Sequence, residues 1–332
     1  MGEHTSQFDF EKPILEIERR IEDLEKFQQK AGVDLSEQIA KLREDKTARM
    51  KEIFSNLTPW QRVMIAREPN RPDAMDYIAT IFDDFLELHG DRAYGDDKAL
   101  VSGFARIGGR RVMLIAQRKG KTTKERVASN FGSPHPEGYR KALEKMKLAE
   151  KFHLPVITLV NTPGAYPGIG AEERGQALVI ARNLMEMARL KTPIISVVIG
   201  EGGSGGALGI CVADRLSILE NAYFSVISPE GCAAILWRDS AKASLAAEVL
   251  RLTPNDLVNL GVMDEIIPEP LGGAHRNPRA AGEILKATLI RYLEEVEHKA
   301  IDKLLDQRYE KYRKMGAFVE TETGKLALSE NR

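Results

Sequence analysis

The stretch "VVIGEGGSGGALGI", residues 197–210, runs from an apolar segment into a dense cluster of glycines. Five of the seven residues from Gly200 to Gly206 are glycine. Glycine inside a strand or helix costs stability and adds no packing, so this density indicates backbone that turns tightly or closely approaches another group. An apolar strand, a glycine-rich turn and a helix in succession are typical of an α/β fold.

Three interpretations of this turn are open. From Gly200 it reads G-x-G-x-x-G, a dinucleotide fingerprint, and Glu220 follows 20 residues later, where a ribose-binding acid belongs. Around Ser204 it reads G-x-S-x-G, a nucleophile elbow, with Asp264 and His275 following in hydrolase order. In the third interpretation the backbone N–H groups themselves bind an anion. The short helix after the turn disfavours the first, and the lack of motifs around the acid and the histidine disfavours the second.

The plan of this segment occurs twice. "LPVITLVNTPGAYPGIGAEERGQA" and "TPIISVVIGEGGSGGALGI" each contain a proline, an apolar strand, a glycine-rich turn and a helix. Their prolines, Pro155 and Pro193, are 38 residues apart. Each turn leads into a helix N-terminus, where free N–H groups and the helix dipole favour negative charge. We expect the two turns to flank one cavity.

Strands and helices alternate through the middle of the chain. The patterns predict strands over 110–117, 154–161 and 192–200, and helices over 137–152 and 170–190. Such alternation indicates an α/β core in which the strands are largely buried.

The N-terminal segment differs in composition from the rest of the chain, because its apolar residues recur at helical spacing among many charged residues. We predict a helical hairpin over 1–55, a core over 56–270, and a C-terminal helix with a flexible tail over 271–332. The hairpin is either a brace for the core or a docking arm for another chain. The tail "AFVETETGKLALSENR" is polar and follows no periodic pattern.

Composition narrows the functional classes. The 332 residues are 43% hydrophobic and 29% charged, with a net charge of −1, which predicts an ordinary globular protein of the cytoplasm and no affinity for nucleic acid. No apolar run approaches the roughly 18 residues of a membrane span. The two cysteines, Cys211 and Cys232, are expected to be buried, reduced thiols, and no metal site is expected in this chain.

Six blocks of the sequence resemble those of one family, the alpha subunits of bacterial acetyl-CoA carboxylase carboxyltransferases, and stand in that family's order. They are "GDRAYGDDKA", "NFGSPHPEGYRKAL", "NTPGAYPGIGAEERGQ", "GEGGSGGA", "SPEGCAAILW" and "EPLGGAHRNP". The resemblance covers about residues 8–295 and implies a crotonase-like fold, a spiral of repeated ββα units. It implies transfer of a carboxyl group from carboxybiotin to acetyl-CoA, forming malonyl-CoA for fatty acid biosynthesis.

The same resemblance implies several partners. These are a beta subunit in an α2β2 heterotetramer, a biotin carboxyl carrier protein that bears the biotin, and a biotin carboxylase. Carboxyl transfer develops negative charge on two oxygens, one of the ureido group and one of the thioester. Preorganised N–H donors stabilise such oxyanions, and only glycine lets the backbone approach them without a Cβ in the way. The freed biotin nitrogen can take the methyl proton, so no protein histidine is required.

The site residues that the resemblance implies lie in the two glycine-rich turns. Gly205 and Gly206 are expected to be catalytic through their N–H groups. The biotin pocket is expected to be lined by Thr162, Pro163, Gly164, Ala165, Tyr166, Pro167, Gly202 and Gly203.

A basic run precedes these turns. Seven basic residues fall between Arg110 and Arg126, against one acid. The run is either a solvated loop or a phosphate contact to coenzyme A or to an acidic partner surface, with Lys119, Lys121 and Lys124 as the candidates.

Other enzyme classes stay open at this stage. A hydratase or isomerase of the same fold needs a carboxylate acid/base, for which Glu230 is the candidate. The alternative is that Glu230 only begins a helix after a Ser228 cap. A carboxyltransferase or decarboxylase for another acyl-CoA, and a non-catalytic support for an active beta subunit, are further alternatives.

Overall fold

Eight strands form the central sheet in a computed structural model of the protein, which describes residues 8–316, 319–320 and 326–327. In chain order they are β1 (Asp83–Glu87), β2 (Leu100–Ile107), β3 (Arg110–Gln117), β4 (Val156–Thr162), β5 (Ile194–Gly203), β6 (Arg215–Leu219), β7 (Tyr223–Ser225) and β8 (Glu265–Ile267). Across the sheet the order is β1-β2-β3-β4-β5-β6-β8, with β7 also paired to β5. β1, β2 and β3 pair antiparallel, and every pairing from β3 onward is parallel.

Helices precede the sheet, cover it and extend beyond it. They are α1 (Lys12–Ala31), α2 (Ser36–Ser55), α3 (Pro59–Ala66), α4 (Ala74–Ile81), α5 (Thr123–Ala128), α6 (Pro136–Lys151), α7 (Ile169–Glu173), α8 (Gln176–Arg189), α9 (Ser204–Leu208), α10 (Pro229–Trp237), α11 (Ala243–Val249), α12 (Pro254–Asn259), α13 (Pro278–Glu297) and α14 (Ile301–Arg313). Because helices pack on the sheet, every residue of β4 and β5 is buried.

The mixed α/β architecture with a parallel sheet is confirmed, and two predicted element bounds were wrong. The helix predicted over 170–190 is two helices, because Gly175 adopts a left-handed backbone (φ 80°) between α7 and α8. The strand predicted to end at Gly200 continues through Gly203, because Glu201, Gly202 and Gly203 pair with β7. The glycine-rich segment is therefore strand first and turn second.

The two N-terminal helices pack against each other and against the core. Glu25 of α1 pairs with Arg43 of α2 at 2.7 Å. At the other end of the helices, Ile14 and Phe54 pack with Ile65 of α3 in one apolar cluster. These contacts favour the brace interpretation for this end of the pair.

The C-terminal tail prediction lies mostly outside the described residues. Within it, Val319–Glu320 (β9) pairs antiparallel with Leu326–Ala327 (β10). The flexible-tail prediction did not include this pairing.

A buried ion pair fastens the segment between α3 and α4 to the segment after β8. Arg71 donates to both carboxylate oxygens of Glu269, at 3.0 and 2.5 Å, and Asn221 and Ala274 donate to the same carboxylate. Burial acts to raise the pKa of Glu269, but the adjacent Arg71 guanidinium outweighs it and holds the pKa at about 2.

We expect Glu269→Gln to lower the free energy of unfolding by about 3–5 kcal/mol, because it leaves the Arg71 charge buried and uncompensated. A lowered carboxylate pKa contributes stability above the ordinary value of 4.5, and that contribution disappears as the pH falls from 4.5 towards 2. Urea unfolding monitored by circular dichroism at pH 7 and pH 4 measures both effects. Unchanged stability of the variant at pH 7 would contradict the assignment.

Candidate active site

The two glycine-rich turns lie side by side at the carboxyl ends of β4 and β5. Thr162 and Gly202 are register partners in these neighbouring strands. A Cβ added to Gly203 would overlap the Pro163 carbonyl, and one added to Gly206 would overlap the backbone of the Gly164–Ala165 peptide. The turns are therefore packed backbone to backbone, which only glycine permits at Gly203 and Gly206.

Hydrogen bonds hold the first turn in shape. The Thr162 hydroxyl accepts from the Gly164 N–H at 3.1 Å, and Tyr166 N–H donates to the Pro134 carbonyl at 3.0 Å. The Tyr166 ring stacks on His135 with a centroid separation of 4.2 Å. Tyr166 is 36% exposed, so the pair presents a partly open aromatic surface beside the turn.

Two side chains orient the second turn. Gln117 Nε2 and the Tyr139 hydroxyl both donate to the Gly206 carbonyl, at 2.8 and 3.0 Å. The Gly205 carbonyl accepts from the Gly209 N–H at 2.9 Å. Each carbonyl shares a rigid peptide plane with the next N–H, so these bonds fix the direction of the N–H groups of Gly206 and Ala207. The first N–H groups of α9 have no acceptor within the helix.

Ser204 lies at the junction of β5 and α9 with a left-handed backbone (φ 51°). A serine at such a junction is the local geometry of a nucleophile elbow. The hydrolase partners are engaged elsewhere: Asp264 accepts from the Leu216 N–H and pairs with Lys311, and His275 lies 3.3 Å from Glu11. Within the described chain, the structure does not assemble a Ser-His-Asp arrangement on Ser204.

The dinucleotide interpretation also fails on geometry. Glu220, the proposed ribose-binding acid, accepts the Glu269 N–H at 3.0 Å. The helix after the turn, α9, has five residues, too few for a Rossmann crossover helix.

A charged cluster lies directly beneath the second turn. Glu201 is buried, and its carboxylate pairs with Lys119 Nζ at 2.8 Å and with Arg67 Nε. Arg67 also pairs with Glu230 at 2.5 Å and donates to the Tyr223 hydroxyl at 3.2 Å. Burial acts to raise the pKa of Glu201, but the Lys119 and Arg67 charges outweigh it and leave the pKa below its usual value.

Two members of the cluster, Arg67 and Lys119, line a cavity of about 160 Å³ between the α3–α4 segment and the basic loop after β3. Its lining includes Arg67, Glu68, Lys119, Lys121, Arg126 and Phe131. The cavity therefore carries charges of both signs with an aromatic ring at its edge.

The three candidate lysines of the basic run have different surroundings. Lys119 is held by Glu201, and Lys121 pairs with Asp76 at 2.6 Å. Lys124 is exposed in the first turn of α5. The structure thus separates a lysine next to the glycine turn from two lysines on the surface.

Glu230 occupies the first turn of α10, as its helix-start interpretation predicts. Ser228 caps this helix by accepting the Gly231 N–H at 3.1 Å. The Glu230 carboxylate is held by both terminal nitrogens of Arg67. The carboxylate is therefore engaged by the arginine at the start of the helix, as the helix-start interpretation requires.

Sequence reasoning missed Glu201, Gln117 and Asn161. A signal for the first existed, because Glu201 is the one charged residue in 197–210, and a charge inside a buried segment requires a partner. Gln117 stands in no motif, and Asn161 opens the block "NTPGAYPGIGAEERGQ" without any pattern that predicts its contact. Their roles depend on contacts 89 and 40 residues away in sequence.

The described residues lack two kinds of feature. They contain no group of three or more His, Cys, Asp or Glu side chains arranged to hold a metal ion. None of the helices described combines the length and apolar character needed to cross a bilayer.

Solved structures with a similar fold are enzymes of acyl-CoA and malonate chemistry. Transcarboxylase 12S, with methylmalonyl-coenzyme A bound, superposes with a TM-score of 0.57 at 25% identity, over 69% of this chain and 42% of that one. A Pseudomonas malonate decarboxylase hetero-tetramer in complex with coenzyme A superposes with a TM-score of 0.53 at 18% identity, over 65% of this chain and 86% of that one. The second likeness shows the fold alone.

Relatives of known name match across nearly their whole length. The acetyl-coenzyme A carboxylase carboxyl transferase subunit alpha of Burkholderia multivorans is 54% identical over 96% of this chain and 99% of its own. That of Thermus thermophilus is 53% identical over 94% of this chain and 99% of its own. The model of the acetyl co-enzyme A carboxylase carboxyltransferase-like family matches residues 7–316, and the chain belongs to that family.

Proposed function

We propose that this chain is the alpha subunit of an acetyl-CoA carboxylase carboxyltransferase. It transfers the carboxyl group from carboxybiotin, borne by a biotin carboxyl carrier protein, to acetyl-CoA, and the malonyl-CoA formed enters fatty acid biosynthesis in the cytoplasm. The observation that supports this function best is the interlock of Gly206 with the Gly164–Ala165 peptide. It brings the backbones of two turns together with no side chain between them, as oxyanion binding requires.

The chemistry assigns the N–H groups their role. A carboxylated ureido group, when bound, supplies the carboxyl carbon, and negative charge then develops on an oxygen. Donors already pointing at that oxygen stabilise it without reorganisation. We assign this role to the N–H groups of Gly205 and Gly206. The bond from Gly209 to the Gly205 carbonyl sets the direction of the Gly206 N–H, and Gln117 and Tyr139 hold the adjoining Gly206–Ala207 peptide in place.

The residues of the two turns fit a ureido ring. Space around Gly164 is open, and a Cβ at Gly205 would approach only Ile180, at 3.7 Å. The ring would lie over the line where the 162–167 turn meets the 202–206 turn, against the Tyr166 surface. The crotonase-like spiral and the three segments 1–55, 56–270 and 271–332 are parts of the same proposal.

An apolar surface near the turns supports the beta subunit as a partner. Four large apolar residues in this region are each at least 72% exposed: Ile169, Leu178, Val226 and Ile235. Ile169 follows the first turn, and Val226 follows the strand that pairs with β5. Exposed apolar patches of this kind mark protein interfaces. We propose that the beta subunit covers these residues in an α2β2 heterotetramer. A biotin carboxylase is a further proposed partner.

Reconstitution tests the function directly. The chain, co-expressed with a beta subunit of the same family, should form a complex on size exclusion. That complex should convert malonyl-CoA to acetyl-CoA in the presence of free biotin, and omission of biotin is the control. A stable complex without biotin-dependent turnover would contradict the proposed function. A preference for propionyl-CoA over acetyl-CoA would mean that the acyl group of the substrate is propionyl.

The surface lysines are proposed to meet phosphates of coenzyme A. Reversing Lys121 and Lys124 to Glu should raise the KM for the CoA substrate several-fold, because surface charge pairs are each worth about 0.5–1 kcal/mol. Steady-state kinetics should show the effect shrinking in high salt. Lys119 is left unchanged because it contacts Glu201. The same charge reversal at Lys26 and Lys30 of α1 is the matched control. If the KM of the Lys121/Lys124 variant is unchanged at low salt, the loop after β3 is a solvated loop and does not contact phosphates.

A further inference from the structure

Glu201 is bound to three segments that surround the second glycine turn. Its carboxylate pairs with Lys119, in the loop after β3, and with Arg67, which follows α3. Its backbone N–H donates to Asn161 Oδ1, near the end of β4, at 3.1 Å. The Glu201 side chain is only 4% exposed, so its carboxylate is almost completely removed from water.

Hydrogen bonds continue from Glu201 to the turn. Asn161, which accepts from Glu201, donates its own N–H to Gln117 Oε1 at 3.0 Å. Gln117 Nε2 donates to the Gly206 carbonyl at 2.8 Å. Lys119 is two residues after Gln117, so its ion pair with Glu201 holds the same strand end in place. Two series of contacts, one through Lys119 and one through Asn161, therefore connect Glu201 with the Gly206–Ala207 peptide that Gln117 orients.

We propose that Glu201 is a positioning residue: through Lys119 and Asn161 it holds Gln117 against the Gly206 carbonyl and so fixes the Gly206–Ala207 peptide, which adjoins the N–H groups of Gly205 and Gly206. This inference rests on the proposed function of those groups. Glu201 does not act as a base, because two cations occupy its carboxylate.

The proposed role requires a charged carboxylate at Glu201, because both of its ion pairs depend on that charge. Glu201→Gln keeps the shape of the side chain but leaves Lys119 and Arg67 facing a neutral amide. The loop after β3 then loses its ion pair with β5, and Gln117 is held only by the backbone route through Asn161. Glu201→Asp keeps the charge on a chain one methylene shorter, so it should recover part of the function.

The first measurement does not depend on activity. Hydrogen–deuterium exchange of peptides covering 204–209 should be faster in Glu201→Gln than in the wild type, and Glu201→Asp should fall between them. Asp214→Asn is the matched control, because Asp214 forms a buried ion pair with Arg308 and contacts the opposite end of β5 at Ile194. It should lower the melting temperature and leave exchange at 204–209 unchanged. Unchanged exchange in Glu201→Gln overturns the proposal, whatever the enzyme's substrate.

The second measurement uses the reconstituted complex. Misplacement of a catalytic group by about 1 Å can cost roughly 10²-fold, so Glu201→Gln should lower kcat by about that factor while the KM for malonyl-CoA changes less than about twofold. Gln117→Met should have a similar effect. If both act through one contact, the double variant should be no worse than either single variant. Fully additive losses, or a normal kcat in Glu201→Gln, would overturn the assignment. An inactive wild-type complex would instead count against the proposed function.

Discussion

Gly205→Pro is expected to lower kcat of the reconstituted complex by roughly 10²–10³, the usual effect of losing one oxyanion donor. Proline removes the N–H of Gly205 and leaves that of Gly206 in place. The first turn of a helix tolerates the ring, because an N–H there has no acceptor within the helix. The loss should appear in kcat in the biotin-dependent assay, with the complex still intact on size exclusion.

Gly205→Ala is the matched control. It places a Cβ in the same direction, where the nearest atom is Ile180 Cδ1 at 3.7 Å, and it keeps the N–H. It should therefore retain most of the activity. Equal losses in Gly205→Ala and Gly205→Pro would mean that bulk at this position matters and the donor does not.

Two neighbouring positions sharpen the comparison. Ser204→Ala removes a hydroxyl and no backbone donor, so it should cost little, whereas a nucleophile would lose nearly all activity. Gly206→Ala should be severely impaired for a different reason, because its Cβ would overlap the Gly164–Ala165 peptide and force the turns apart. An inactive Ser204→Ala beside an active Gly206→Ala would reopen the hydrolase interpretation.

The isolated chain is expected to show no malonyl-CoA decarboxylation with biotin, even at high enzyme concentration. Carboxyl transfer develops two oxyanions, and the proposed site on the interlocked turns of this chain supplies donors for one. The second set must come from the beta subunit, across the exposed apolar surface around Ile169 and Val226. Titration of the chain with the beta subunit should restore turnover and saturate at equal amounts.

Leu178→Asp gives this prediction an internal control. Leu178 is 73% exposed, so a charge there should leave the fold of the isolated chain unchanged. In a subunit interface it would be desolvated, and both complex formation and turnover should fall. Robust turnover by the isolated chain would end the shared-site proposal.

The sequence predicted the strand that carries the site, because β5 combines a continuous apolar run with glycine at the positions where the turns meet. It also predicted that the two turns flank one cavity, since parallel strands in successive units bring their carboxyl ends together. The turns are neighbours, but they pack backbone to backbone instead of leaving a cavity between them. The overlap at Gly203 and Gly206 explains why this density of glycine was informative.

The supporting contacts could not be predicted from the sequence. Arg67 reaches Glu201 over 134 residues and Glu230 over 163. Arg67 lies between the short helices α3 and α4, which carry too few residues for a clear helical period. The break at Gly175 was missed for a related reason: one glycine inside a helical pattern is tolerated at least as often as it ends a helix.

The central position of β5 has a consequence for the motions of the enzyme. This strand is buried along its whole length, between β4 on one side and β6 and β7 on the other. Amides in such a strand exchange with solvent through global unfolding, and the turn that leaves it directly is anchored to the most protected part of the molecule. A turn that is anchored to such a strand is not expected to move aside to admit or release substrates. Gating of the reaction must therefore come from the other side of the site, through movement of the beta subunit or of the carrier.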